Sequence, residues 1–203
     1  MDRRVLQIVK TKLLIVEGKD EELFLTAMLG HLNMDDVQVA EVGGKGNIRP
    51  ALKEIAKEPA FSKVEALGVI RDADTDPNAA FKSVKAALIA ARLPTPKRPL
   101  QPVKGTPRVN VMILPSSERK GALEDLCLAA IDEHPVNTCI VEFFNCLKEK
   151  ATPFPKELSK AKVRVFLSSR EDPTLPLGLA AMKGYWPFDN AVFEPMRTFL
   201  RWF

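Results

Sequence analysis

From Lys12 to Ile89 one pattern recurs three times: a short apolar run stops at a polar or glycine turn, and a segment with apolar residues at helical spacing follows. Lys12 to Val16 is the first run. It ends at Glu17-Gly18, after which Asp20, Glu21 and Glu22 open a segment carrying Leu23, Phe24, Ala27, Met28 and Leu32. Asp20 is the expected N-cap and His31 the approximate end of that helix. Val37 to Val42 is the second run, interrupted by Gly43-Gly44-Lys45-Gly46-Asn47 before Ile48, Leu52 and Ile55 take up a helical period. Ala66 to Ile70 is the third, followed by the acidic turn Asp72 to Asp76 and by Phe81, Val84, Lys85, Leu88 and Ile89. Asp76-Pro77 reads as an N-cap and first helical residue. Strands alternating with helices at this spacing require parallel strands joined by right-handed crossovers, with ligands bound beyond the strands' carboxyl ends.

The proline-studded stretch from Pro94 to Pro107 cannot form regular structure and is expected to be an exposed loop or flap, after which Val109 to Leu114 supplies a fourth strand. Beyond Gly121, the residues Leu123, Leu126, Cys127, Ala130 and Ile131 mark an amphipathic helix, and a second is expected between Asn137 and Lys150. No further strand is read in the carboxyl-terminal third. The expected fold is therefore α/β: a parallel-stranded core over residues 1–115, flanked by helices, with a helical extension over 116–203 packed on it as one structural unit. At 203 residues, 46% hydrophobic and 28% charged, the chain has the composition of a single packed domain. Cys127, Cys139 and Cys146 show neither a disulfide framework nor zinc spacing, which suits a reducing cytosol and a cytoplasmic location. The basic amino terminus is followed by an apolar run of only Leu13 to Val16, too short for a signal peptide or a membrane span. Thirty Lys and Arg against 26 Asp and Glu give a formal charge of +4, which tolerates a polyanion without requiring one.

The acids carry the chemistry. Glu17 ends the first strand and Asp72 ends the third, so a parallel sheet brings both to one edge. Asp72 and Asp74, two apart in an extended segment, are expected to project to one side and share a hard cation. Mg²⁺ takes one or two carboxylates and completes its shell with water and phosphate oxygens, and Mn²⁺ is the natural substitute. Three carboxylates crowded together would repel one another unless a cation or a proton relieved them. Asp76 is either a further ligand or simply the cap before Pro77. Lys19, Lys45 and Arg49 lie near the same edge, as phosphate contacts or as solvated surface. The Gly43-Gly44-Lys45-Gly46 segment lacks P-loop spacing, so nucleotide triphosphate hydrolysis is not supported. Glu124 and Asp125 lie off the apolar stripe of their helix; exposure is the simpler reading and ligation of a second ion the other. Tyr185, Trp186 and Phe188, like Phe193, Phe199, Trp202 and Phe203, are read as core or dimer packing rather than as a base-stacking platform. His31, His134 and Ser116-Ser117 form no nucleophile pattern, which argues against an acyl-serine route.

The segment Leu14-Ile15-Val16-Glu17-Gly18-Lys19-Asp20, followed by Asp72-Ala73-Asp74, resembles the Toprim domain, which occurs in topoisomerases, bacterial primases, ribosomal-RNA maturases and nucleases of the OLD type. The resemblance covers about residues 11–115. It implies Mg²⁺-dependent phosphodiester chemistry on DNA or RNA, most simply that of a nuclease, with Asp72 and Asp74 on the metal and Glu17 as general acid or base. Small stand-alone Toprim-like proteins share the Glu-Gly-Lys-Asp-Glu start and an aromatic ending like Gly184-Tyr185-Trp186-Pro187. Topoisomerase action needs a tyrosine nucleophile, and the single Tyr185 lies outside the Toprim-like region. A non-catalytic Toprim-like module that binds nucleic acid or a protein partner such as an ATPase is the alternative, and under either reading a homodimer is open.

Overall fold

A computed structural model describes residues 6–150 and 153–203. The first five residues of the expected core, with the basic Arg3-Arg4, lie outside the described residues. Four strands, β1 (Lys12–Val16), β2 (Val37–Glu41), β3 (Ala66–Asp72) and β4 (Arg108–Leu114), form one sheet in the order β2-β1-β3-β4. Every pairing is parallel, with Ile15 opposite both Ala40 and Val69, and Asp72 opposite Leu114. Eight α-helices are found among the described residues: α1 (Lys19–His31), α2 (Ile48–Ile55), α3 (Pro77–Ala90), α4 (Leu123–Ala130), α5 (Pro135–Lys150), α6 (Leu158–Ser168), α7 (Leu177–Met182) and α8 (Glu194–Arg201).

Burial on both faces explains the continuous apolar runs. Leu13, Ile15, Leu67, Val69, Val111 and Ile113 pack under α2 and α3. Leu14, Val16, Ile70, Met112 and Leu114 point the other way, into one cluster with residues of α1 and α4 to α8, so the extension and the sheet share a core. The aromatic segment is packing: Phe166 stacks on Trp186 at 5.1 Å and Phe24 meets Phe188 edge-on at 5.3 Å. Trp186, buried, donates its indole N–H to the Leu177 carbonyl.

Two local expectations change. The helix α1 begins at Lys19 with Gly18 as its cap residue, so Asp20 lies in the first turn and not at the N-cap. Its carboxylate instead accepts the Gly178 N–H at 2.9 Å, tying α1 to α7. The proline-rich stretch is not a free flap. Leu100 donates to the Val111 carbonyl and Val103 exchanges hydrogen bonds with Val109, so the stretch lies along the outer edge of β4 and covers its exposed ladder.

The α1–α7 contact is close enough to require glycine. A Cβ on Gly178 would stand 2.7 Å from both the Asp20 carbonyl oxygen and the Leu23 Cβ. Gly178→Ala is expected to destabilise the fold by about 1–3 kcal/mol, since backbone cannot yield as a flexible side chain does. An unchanged urea midpoint would show that the two helices are free to separate.

Candidate functional site at the carboxyl edge of the sheet

In the order β2-β1-β3-β4, the chain leaves β1 toward one side and β3 toward the other, so the crevice between the carboxyl ends of β1 and β3 is the topological switch point. Glu17 follows β1 and Asp72 is the last residue of β3. Strand alternation carries Glu17 and Arg71 to the α2–α3 side with Ile15 and Val69, and Asp72 to the α1–α4 side with Ile70.

Glu17 meets Arg71 there, with Nε and Oε1 3.4 Å apart and both side chains largely withdrawn from water. Neither atom completes a well-aligned hydrogen bond among the described residues, although Arg71 Nη1 reaches the Ala80 carbonyl at 3.4 Å. Burial raises the Glu17 carboxyl above the ordinary glutamate range. Arg71 pulls it back, Asp74 and Glu21 push it up further, and the Asp72 N–H lowers it.

Asp72 accepts the Leu123 N–H at 3.2 Å, at the first turn of α4. Burial, and then the negative charges of Glu21, Glu17, Glu124 and Asp74 in that order, push its carboxyl up to about 8. A buried carboxylate among four others favours its protonated form unless a cation is near.

Asp74 does not continue the strand as expected. Its φ of 52° turns the chain into the left-handed region, and its N–H and C=O pair with those of Gly121 across an isolated antiparallel bridge. The Asp74 carboxylate faces the glycine loop, where Lys45 Nζ approaches Oδ2 to 2.7 Å. Asp76 caps α3 by accepting the Asn78 and Ala79 N–H groups at 2.8 and 3.1 Å. Lys19 pairs with Glu22. Arg49 is exposed on α2 and makes no ion pair among the described residues.

Exposure was the simpler expectation for Glu124 and Asp125, and the structure corrects it. Both are half-buried, because α6 of the extension packs on α4. Asp125 accepts the Ala122 N–H at 2.8 Å and the Ser159 hydroxyl at 2.6 Å. Glu124 is raised by burial and by Glu21, and is held down by Lys160 of α6. Lys160, hydrogen-bonded to Glu157, also feels Glu124 and Asp72. Sequence reasoning missed Glu21, Arg71 and Lys160 as members of this group. Glu21 had a signal, one helical turn after Glu17 behind a glycine, whereas Arg71 and Lys160 had none.

Every acidic donor here is a carboxylate oxygen, which suits a hard cation and not a soft one. Among the described residues no three Asp, Glu, His or Cys side chains stand close enough to form a complete ligand set. The donor chemistry therefore fits an ion held by one or two carboxylates, with the remaining positions left to water and phosphate.

An α/β domain with an all-parallel sheet and acids gathered at its switch point is the class that fold and site define. The chain belongs to the family described as Protein of unknown function (DUF3226), whose model matches residues 11–203. No match was found among curated proteins. Among solved structures, the chain is similar to the C-terminal region of the Xanthomonas campestris pv. campestris OLD protein. Its mercury-phased structure is 12% identical, with a TM-score of 0.40, over 86% of this chain and 79% of that one. The iodine-phased structure is also 12% identical, with a TM-score of 0.43, over 87% and 93%. The platinum-phased structure is 11% identical, with a TM-score of 0.43, over 96% and 98%. No helix among the described residues is long and apolar enough to cross a membrane.

Proposed function

We propose that the carboxyl edge is a Toprim-like site for Mg²⁺-dependent phosphodiester chemistry on nucleic acid, and that the protein is a nuclease. What supports this reading is that the ends of β1 and β3 lie side by side at the switch point, with Glu17, Glu21, Glu124 and Asp74 all near enough to act on the Asp72 carboxyl. Asp72 and Asp74 are the residues that would hold Mg²⁺, or Mn²⁺ in its place. The bound ion supplies neutralisation of charge on the phosphate and a lowered pKa for bound water. Asp72 keeps one oxygen on the Leu123 N–H, which fixes its orientation at the end of β3. Glu17, raised by burial and steadied by Arg71, exchanges a proton with the attacking water or the leaving oxygen. Lys45 and Lys160 place positive charge on two sides of the acids and suit phosphate contacts, as does Lys19 at the start of α1.

A second reading rests on the Lys45–Asp74 pair: an acid already matched by a lysine suits a non-catalytic module that binds nucleic acid or a protein partner such as an ATPase. Labelled single- and double-stranded DNA and RNA, incubated with the protein in Mg²⁺, Mn²⁺ or EDTA, separate the two. Cleavage that requires the ion and disappears in Asp72→Asn is the expected result. Binding without cleavage of any of the four substrates would favour the module.

A further inference from the structure

We propose that Lys45 is a resident counter-cation on Asp74, displaced when a divalent ion takes that carboxylate and only then free to contact phosphate; this rests on the reading of Asp74 as a metal ligand. Both ends of the pair are anchored by backbone. Gly43 and Gly44, at φ 74° and 110°, let the loop turn back so that the Gly44 N–H reaches the Glu17 carbonyl at 2.7 Å. The Gly43 N–H meets the Glu41 carboxylate at 2.7 Å, and the Asn47 side-chain amide meets the Gly43 carbonyl at 2.8 Å. On the other side, Asp74 exchanges two hydrogen bonds with Gly121, at 2.9 and 2.8 Å. The 2.7 Å contact between Lys45 Nζ and Asp74 Oδ2 is thus aimed by two fixed anchors, while the side chains themselves remain 55% and 40% exposed.

An ammonium group has donors and no acceptor, so it cannot join the coordination shell of a cation on the same carboxylate. The two positive charges exclude one another. An exposed ion pair opens at little cost, and the four-carbon lysine stem lets the ammonium swing without moving the loop. The resulting order is ion first and phosphate second: Lys45 opposes the ion in the free protein and favours the phosphate once the ion is bound.

Calorimetric titration of Mn²⁺ into the full chain without nucleic acid tests the exchange. Lys45→Met is expected to bind Mn²⁺ about twofold to fivefold more tightly than wild type. Lys19→Met, which removes the same charge from a lysine paired with Glu22, is expected to change the affinity by less than about twofold. With Mn²⁺ present and Glu17→Gln blocking turnover, Lys45→Met is expected to weaken binding of a labelled oligonucleotide and to lower its salt slope by about one. Unchanged or weaker Mn²⁺ binding in Lys45→Met overturns the exchange. If Asp72→Asn abolishes Mn²⁺ binding while Lys45→Met matches wild type, the ion site stands and the exchange falls. If no variant binds Mn²⁺, the ion site falls and takes the exchange with it.

Discussion

In EDTA, the wild-type protein is expected to lose stability steadily as pH rises from about 4 to about 8, while Asp72→Asn loses markedly less and is the more stable protein at the upper end. The Asp72 carboxyl stands at about 8 in the folded chain against an ordinary value near 3.8. Between those values the folded protein keeps a proton that the unfolded chain has released. The stabilisation is therefore complete below about pH 4 and is lost as pH climbs through the folded value. At about 1.4 kcal/mol per pH unit, the climb from 3.8 to about 8 sets a ceiling of roughly 6 kcal/mol. Asparagine retains an oxygen for the Leu123 N–H and carries no charge to bury. Glu17, Glu21 and Glu124 are raised as well, so their contributions have the same sign. Millimolar Mg²⁺ is expected to recover wild-type stability at pH 8 and to leave Asp72→Asn unmoved. Melting curves at half-unit pH steps are the measurement; parallel profiles for the two proteins would mean that Asp72 is not the buried charge of this edge.

The strands were legible because each is buried on both faces, which leaves an apolar run bounded by a turn. Lys12–Val16 agrees residue for residue, and the first and third runs are adjacent parallel strands, so the residues closing them lie at one edge of the sheet. The turn geometry after β3 was not legible. Asp72 and Asp74 look like one extended pair in sequence, but hydrogen bonds with Gly121 turn the chain at Asp74 and send its carboxylate toward Lys45. Gly121 belongs to the β4–α4 connection, far along the chain, so no local pattern announces the bridge. The same distance hid Lys160, which reaches the edge only because α6 packs on α4. Arg71 was passed over because an arginine beside an acid at a strand end reads as solvated surface, whereas its guanidinium turns back over the sheet to Glu17.

Glu17→Gln is expected to lower Mg²⁺-dependent turnover by about a hundredfold to ten-thousandfold while leaving nucleic-acid binding within about threefold of wild type. Glutamine preserves length and one acceptor oxygen, so the backbone link from the Gly44 N–H to the residue-17 carbonyl is untouched. What it removes is the exchangeable proton and the charge facing Arg71. Arg71 supplies the control, because Arg71→Met leaves the Glu17 carboxylate in place and takes away its only ion-pair partner among the described residues. Without Arg71 the effect of burial is less opposed and the Glu17 carboxyl rises further, so turnover is expected to survive in Arg71→Met with its basic rise moved to higher pH. Loss of binding in Glu17→Gln would place Glu17 in nucleic-acid contact and not in proton transfer. Undiminished cleavage in Glu17→Gln would remove Glu17 from the chemistry and leave the proton to water on the ion. A protein that binds nucleic acid equally well with and without the substitution, and cleaves in neither form, would be the non-catalytic module, its acids kept for a cation and not for turnover.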